Sequence, residues 1–327
     1  MKSKQTNNKT IDQILQLIDQ SQTFLIASHE SPDGDAIGST LALANALREM
    51  GKDVVAYNRD HAPHEYAFLP GIDTVVSTVD ESQTFDAGFV LDAGELQRAG
   101  RWIKGRCRAL VNVDHHPYSE DFGDIYFVDT EASATSVLIY RLLQSAGHKV
   151  SSDVATCVYT AILSDTGSFH YSNANPEAFQ VAAEMVALGV DPWSIASRLY
   201  ESQDLKRLRL LALALPTLQA SACGQYASIA VTLKMYESSE TSEEYTDRFI
   251  NYPRSVRGVE VAIFFRQLTE NRFKIGFRSK GNVDVGALAR AMNGGGHHNA
   301  AGAEVEGSLE SVRKWVYARV AELLSDQ

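Results

Sequence analysis

Ser28-His29-Glu30-Ser31-Pro32-Asp33-Gly34-Asp35 closes one apolar run and opens another, and its reading decides the fold. Upstream, residues 24–28 (FLIAS) have the unbroken apolar character of a strand buried on both faces. Downstream, residues 36–50 carry apolar side chains at helical spacing and stop at Gly51. A strand that feeds directly into a helix begins a βα unit. The turn on Pro32 and Gly34 then aims His29, Asp33 and Asp35 into one pocket at the strand's carboxyl end, where α/β sheets bind their ligands.

The alternation continues outward. Strands are predicted at 53–57, 75–78, 88–92 (GFVLD) and 109–114 (ALVNVD), and helices at 134–146, 153–163 and 176–188. Strands alternating with helices predict an α/β fold, a mostly parallel sheet flanked by helices. Residues 192–221 read as continuous helix with Pro216 as a kink or break. After Gly224 the pattern changes to strands at 226–233, 259–268 and 272–278 and helices at 285–292 and 309–324. The expected organisation is a catalytic domain over 1–195, a helical connector over 196–222 and a smaller mixed α/β domain over 223–327. No internal repeat or low-complexity tract interrupts it.

Composition narrows the class. Of 327 residues, 44% are hydrophobic and 22% charged, which excludes a disordered or fibrous chain. Cys107, Cys157 and Cys223 lie far apart, so neither a disulfide framework nor a cysteine-built zinc site is expected. Met1 to Thr10 is polar, without the apolar core of a secretory signal. No apolar stretch approaches the ~20 residues that span a bilayer. The expectation is a soluble, cytoplasmic protein without a membrane partner. The net charge is −11, and all of it falls in the first 220 residues, which hold 17 basic and 28 acidic residues against 13 and 13 in the remainder. Long nucleic acid is therefore not an expected partner, because phosphate neutralisation needs a basic footprint. An acidic domain that acts on phosphate needs cations.

Four segments end an apolar run on Asp or His: His29 with Asp33 and Asp35, then Asp92, then Asp114-His115-His116, then Asp165. Singly, each has a bland reading; Asp165-Thr166-Gly167 alone is an ordinary turn. Four coincident ends favour a metal site. Imidazole with carboxylate suits a divalent ion such as manganese or zinc.

HESPDGDAIGS (29–39), LDAGE (91–95), NVDHHP (112–117) and LSDTGSF (163–169) resemble the four motifs of the DHH phosphoesterase superfamily, named for the triplet at Asp114-His115-His116. GGGHHNAAG (294–302) resembles the glycine-rich signature of the DHH-associated C-terminal domain. The resemblance covers about residues 20 to 320. The compact length is most similar to the NrnA-type nano-RNases, which degrade short oligoribonucleotides and dephosphorylate 3′-phosphoadenosine 5′-phosphate.

The resemblance implies two divalent cations, with manganese expected. His29 and Asp33 would hold one, Asp35, His115 and Asp165 the other, and Asp92 would bridge them. Activated hydroxide would attack phosphorus and release nucleoside 5′-monophosphates. Asp114 would orient a neighbouring imidazole, and His116 would contact the scissile phosphate or protonate the leaving oxygen. In the cleft between the domains, Gly295, Gly296 and His297 would approach a phosphate or sugar. Arg278 and Ser279 would hold a terminal phosphate. Arg98 is open between a phosphate contact and a helix cap, and His298 receives no role. Two positions depart from the pattern: His170 stands where arginine is frequent, and Ala174 where threonine is expected. The expected substrates are short oligoribonucleotides or small nucleotides, with a homodimer left open. The rival readings are a cyclic dinucleotide phosphodiesterase, a RecJ-like single-strand DNA exonuclease, a family-two inorganic pyrophosphatase and a non-catalytic nucleotide sensor. The 294–302 signature points away from the pyrophosphatase.

Overall fold

The computed structural model describes residues 2–281 and 283–325, apart from the side chains of residues 2–7 and of His297. The chain separates into two compact units, Met1–Ser202 and Gln203–Gln327. In the first, the elements run α1 (Lys2–Gln20), β1 (Thr23–Ser28), α2 (Gly34–Glu49), β2 (Asp53–Tyr57), β3 (Val75–Val76), β4 (Phe85–Leu91), α3 (Leu96–Ala99), β5 (Cys107–Asp114) and β6 (Ile125–Val128). Four helices follow: α4 (Thr135–Ser145), α5 (Ser152–Asp165), α6 (Pro176–Ala187) and α7 (Pro192–Tyr200).

The six strands form one sheet in the order β3-β2-β1-β4-β5-β6, and every recorded pairing is parallel. Phe24, Leu25, Ile26 and Ala27 are fully buried, as a central strand covered on both faces requires. The order reverses direction between β1 and β4, so the chain leaves these neighbours toward opposite edges. A crevice opens at the carboxyl ends of the strands at such a switch point. His29, Asp92 and Asp114 all stand there.

Helix α2 reaches the same place through its glycines. A Cβ at Gly38 would lie 2.9 Å from the Cys157 carbonyl oxygen and 2.9 Å from the Ala161 Cβ. A Cβ at Gly34 would collide with Ser164. The two glycines thus let α2 and α5 approach backbone to backbone, which sets the start of α2 beside the end of α5.

The second unit holds α8 (Leu205–Ala214), β7 (Gln219–Ala220), β8 (Tyr226–Val231), α9 (Leu233–Ser239), α10 (Asn251–Ser255), β9 (Val261–Thr269), β10 (Arg272–Ser279), α11 (Val285–Arg290), β11 (Gly295–His297), β12 (Ala300–Glu306) and α12 (Leu309–Ser325). Its sheet runs β11-β12-β10-β9-β8-β7 and is antiparallel except for the parallel β8–β9 pair. Its core gathers Phe265, Phe273, Ile275 and Phe277 with Val312, Val316 and Val320 of α12.

The continuous helix expected over 192–221 is corrected. Helix α7 ends at Tyr200, and α8 starts afresh at Leu205 with the Asp204 carboxylate accepting from the Lys206 amide. Asp204 competes for the backbone as an N-cap, and that local bond breaks the run. Pro216 falls in a short 3-10 turn after α8 has already ended.

Candidate metal centre

His29 follows β1 directly, and its backbone is pinned from the side. The Asn58 amide donates to the His29 carbonyl at 2.9 Å and to Ser28 Oγ at 2.9 Å. His29 Nδ1 lies 2.7 Å from the Glu30 carbonyl, which can only accept, so Nδ1 carries the proton and Nε2 is left for the site. That Nε2 lies 3.9 Å from Asp33 Oδ1 and 3.7 Å from Asp92 Oδ2. His115 repeats the arrangement. Its Nδ1 faces the Ala132 carbonyl at 3.1 Å, and its Nε2 lies 3.5 Å from Asp92 Oδ1, 3.7 Å from Asp35 and 3.8 Å from Asp165.

The carboxylates are fixed by the first turns of two helices. Asp33 caps α2, accepting from the Asp35 and Ala36 amides at 3.0 Å each. Asp35 is fully buried and accepts from Ser39 Oγ at 2.8 Å and from the Thr135 and Ser136 amides at 2.6 and 3.2 Å. Asp92 accepts from Thr135 Oγ1 at 3.1 Å. Its φ of 56° lies in the left-handed region, where aspartate is tolerated better than most side chains. Asp165 ends α5, where Asn173 Nδ2 donates to its Oδ2 at 2.9 Å.

Among the described residues the structure therefore brings the six expected ligand residues together in two groups, His29, Asp33 and Asp92, and Asp35, His115 and Asp165, joined by a third that holds Asp92, His115 and His116. Asp92 turns Oδ2 to the first and Oδ1 to His115 of the second. The facing atoms stand 3.5–3.9 Å apart, too far for hydrogen bonds. Two ligands of one cation at about 2.1 Å lie roughly 3.0–3.4 Å from each other, so a small contraction fits the set to divalent ions. His116 is different. Its Nδ1 donates to Asp114 Oδ1 at 2.7 Å and cannot also ligate through that atom, although Asp92 is 3.4 Å away. Asp114 is fully buried and also accepts from the Gly94, His115 and His116 amides at 2.8, 2.8 and 3.1 Å.

Charge confirms the crowding. Burial, and then Asp92, push the Asp35 carboxyl well above its ordinary range, and burial raises Asp165 to about 7. Burial alone would lower the three imidazoles, but the carboxylates outweigh it and all three are raised, His115 strongly. Asp114 and Asp33 go the other way. Burial opposes their ionisation, but the His116 hydrogen bond holds Asp114 at about 2, and attraction to the nearby His29 imidazole, with the Ala36 and Asp35 amides, holds Asp33 at about 2. For Asp33, 58% of the side chain meets solvent, which screens that attraction. A cluster that retains protons at neutral pH is one that cations can occupy in their place.

The remaining expected residues stand as follows. Arg98 is half-buried; it donates to the Ala93 carbonyl at 3.2 Å, and its own carbonyl accepts from the Glu30 amide at 2.8 Å, tying the loops after β1 and β4 together. In the second unit, Arg278 donates to the Phe277 carbonyl at 3.0 Å. Ser279 has its amide on the Asn299 carbonyl and its hydroxyl on the Val283 carbonyl, at 3.0 and 2.6 Å, so both its hydrogens hold the loop. A Cβ at Gly294 or Gly296 would collide with β12, whereas Gly295 opens on empty space. The His297 side chain lies outside the described residues. Sequence reasoning missed Thr135, Ser136 and Asn173. The small polar run Ser133-Ala134-Thr135-Ser136 before a helix was the available signal for the first two.

A doubly wound sheet whose strand ends gather these groups defines an α/β protein with a candidate site for divalent cations. The chain belongs to the DHH family. Residues 23–162 match the DHH family N-terminal domain, and 226–324 match the DHHA1 domain. It is 33% identical over 304 residues, 92% of this chain and 89% of the relative, to the bifunctional oligoribonuclease and PAP phosphatase NrnA of Thermus thermophilus. With the protein of the same name from Bacillus subtilis it shares 27% over 298 residues, 90% and 92% of the two chains. The crystal structure of an exopolyphosphatase-related protein from Bacteroides fragilis superposes with a TM-score of 0.89 at 28% identity, over 98% of this chain and 96% of that one.

Proposed function

We propose that the chain is a metal-dependent phosphodiesterase that hydrolyses short oligoribonucleotides, such as pGpG and pApA, to nucleoside 5′-monophosphates, and that it also removes the 3′-phosphate of 3′-phosphoadenosine 5′-phosphate. The observation that carries the reading is the meeting of six imidazole and carboxylate ligand residues around one space, with Asp92 facing both groups. The one-third identity to a bifunctional oligoribonuclease and PAP phosphatase supports the substrate class.

His29, Asp33 and Asp92 would hold one divalent cation, and Asp35, His115, Asp165 and Asp92 a second, with manganese suited to this donor set. Bound there, the cations supply Lewis acidity and lower the pKa of a shared water. Four carboxylates against two divalent charges make the site neutral, so a phosphate can enter an acidic unit. Asp114 holds the His116 ring by Nδ1 and favours its protonated form, which suits His116 to hand a proton from Nε2 to the leaving oxygen. Arg98 and, in the second unit, Arg278, Gly295, Gly296 and His297 would take the rest of the substrate, with Ser279 fixing the loop beside Arg278 through both of its hydrogens. Arg278 suits a terminal phosphate through its fork of donors. The free cysteines Cys107, Cys157 and Cys223 fit a cytoplasmic setting.

The test is a product analysis with manganese or magnesium on pGpG, pApA, 3′-phosphoadenosine 5′-phosphate, cyclic di-AMP, pyrophosphate and a 24-mer. Turnover of the linear dinucleotides and of 3′-phosphoadenosine 5′-phosphate to monophosphates is expected. Faster processive digestion of the 24-mer would reject the short-substrate reading, and cleavage of cyclic di-AMP alone would replace it.

A further inference from the structure

One short segment, residues 131–136, holds three of the six ligand residues, His115, Asp35 and Asp92. The Ala132 carbonyl faces His115 Nδ1, the Thr135 amide and hydroxyl reach Asp35 and Asp92, and the Ser136 amide reaches Asp35. Asp165 comes from the end of α5, and its only described side-chain donor is Asn173. The same Nδ2 lies 3.0 Å from the Ser133 carbonyl and 3.2 Å from the Asp165 carbonyl. All three neighbours of that nitrogen are acceptors. The amide orientation is therefore decided, because its reverse would set oxygen against three oxygens. The price is Asn173 Oδ1, buried with no hydrogen-bond partner among the described residues. A buried acceptor left unmade needs a compensating reason, and the reason here is the grip on Asp165. Asn175, two residues on, fastens the same loop to the Glu131 carbonyl at 2.7 Å and caps α6.

We propose that Asn173 is a positioning residue: its amide locks the Asp165 carboxylate to the 131–136 segment and so completes the cation site that Asp165 shares with Asp35 and His115. The inference rests on the metal-centre reading above but not on the identity of the substrate.

The test is manganese binding followed by electron paramagnetic resonance, which counts ions without any turnover. Asn173→Ala should weaken one of two bound ions about 10–100-fold, as loss of a ligand's orienting partner does, and leave the other within about threefold. Asn173→Asp keeps the shape and removes the donor, so it should be no better than Ala; a packing role would rank it above Ala. In an Asp165→Asn background, Asn173→Ala should have no further effect on the remaining ion. Asn175→Ala, which loosens the loop without touching Asp165, should keep both ions, and thermal melts of every variant record folding. Two ions of unchanged affinity in Asn173→Ala would overturn the proposal, as would full binding in Asn173→Asp or an undiminished effect in the Asp165→Asn background. Wild-type protein that binds no manganese would remove the metal reading and this inference together. Wild-type protein that binds two ions but leaves dinucleotides intact would remove only the substrate reading.

Discussion

Asp92 combines a demanding backbone with a central place in the cluster. At φ 56° an alanine would add strain of about 1–2 kcal/mol on top of the lost carboxylate, so Asp92→Ala mixes folding with chemistry. Asparagine tolerates that backbone and is the cleaner substitution. Asp92→Asn should keep the wild-type melting temperature within a few degrees and lower turnover by more than about 100-fold, beyond what loss of a mere orienting partner costs. Unchanged hydrolysis of pApA would reject the bridging role. The aspartates and histidines were legible in the sequence because each ends an apolar run, and such ends converge at one edge of a parallel sheet. Asn173 was not, because a polar residue in a loop has no periodicity and its partner lies across a turn. Thr135 and Ser136 were hidden for a related reason: both hold Asp35 through backbone amides, which every residue possesses, and only Thr135 adds its hydroxyl, to Asp92.

Among the elements, the α2–α5 crossing governs how the two halves of the cluster meet. In an isolated helix Gly38→Ala would gain about 1 kcal/mol from propensity. Here the new methyl would stand 2.9 Å from a backbone oxygen that cannot turn away, and forced overpacking costs about 1–3 kcal/mol. The clash wins. Gly38→Ala should lower the melting temperature by several degrees and weaken manganese uptake, because the helices that carry Asp35 and Asp165 are pushed apart; a melt at or above wild type would refute this. The parallel strands and their flanking helices were readable from period and apolar runs. The sequence pattern left α1, α3, α10, β11 and β12 unassigned and ran helix over β7. Also missed were β6, a four-residue edge strand; α9, which follows β8 after a single residue; and the break between α7 and α8. Each of these last three is set by tertiary pairing or by one capping side chain rather than by a long pattern.

For the whole molecule, proton and cation compete for one cluster. Without metal, Asp35 and Asp165 keep protons to higher pH than they would in the unfolded chain, and the three imidazoles do the same above their ordinary 6.5. From about pH 4 upward the folded state thus binds more protons than the unfolded state, and its stability falls as pH rises. Asp33 and Asp114, held at about 2, act oppositely but only below about pH 4. Chelated protein should melt at progressively lower temperature between pH 5 and 8 (the ~4–7 carboxylate window and the imidazoles above it). Saturating manganese should flatten or reverse that slope; parallel curves with and without the ion would contradict it. The second unit's signature carries a different kind of information. With Gly294 and Gly296 crowded against β12, most alleles at those two positions would be folding defects mistaken for lost catalysis. Of the three glycines, only Gly295 offers a genetic screen a direct view of what that hairpin touches.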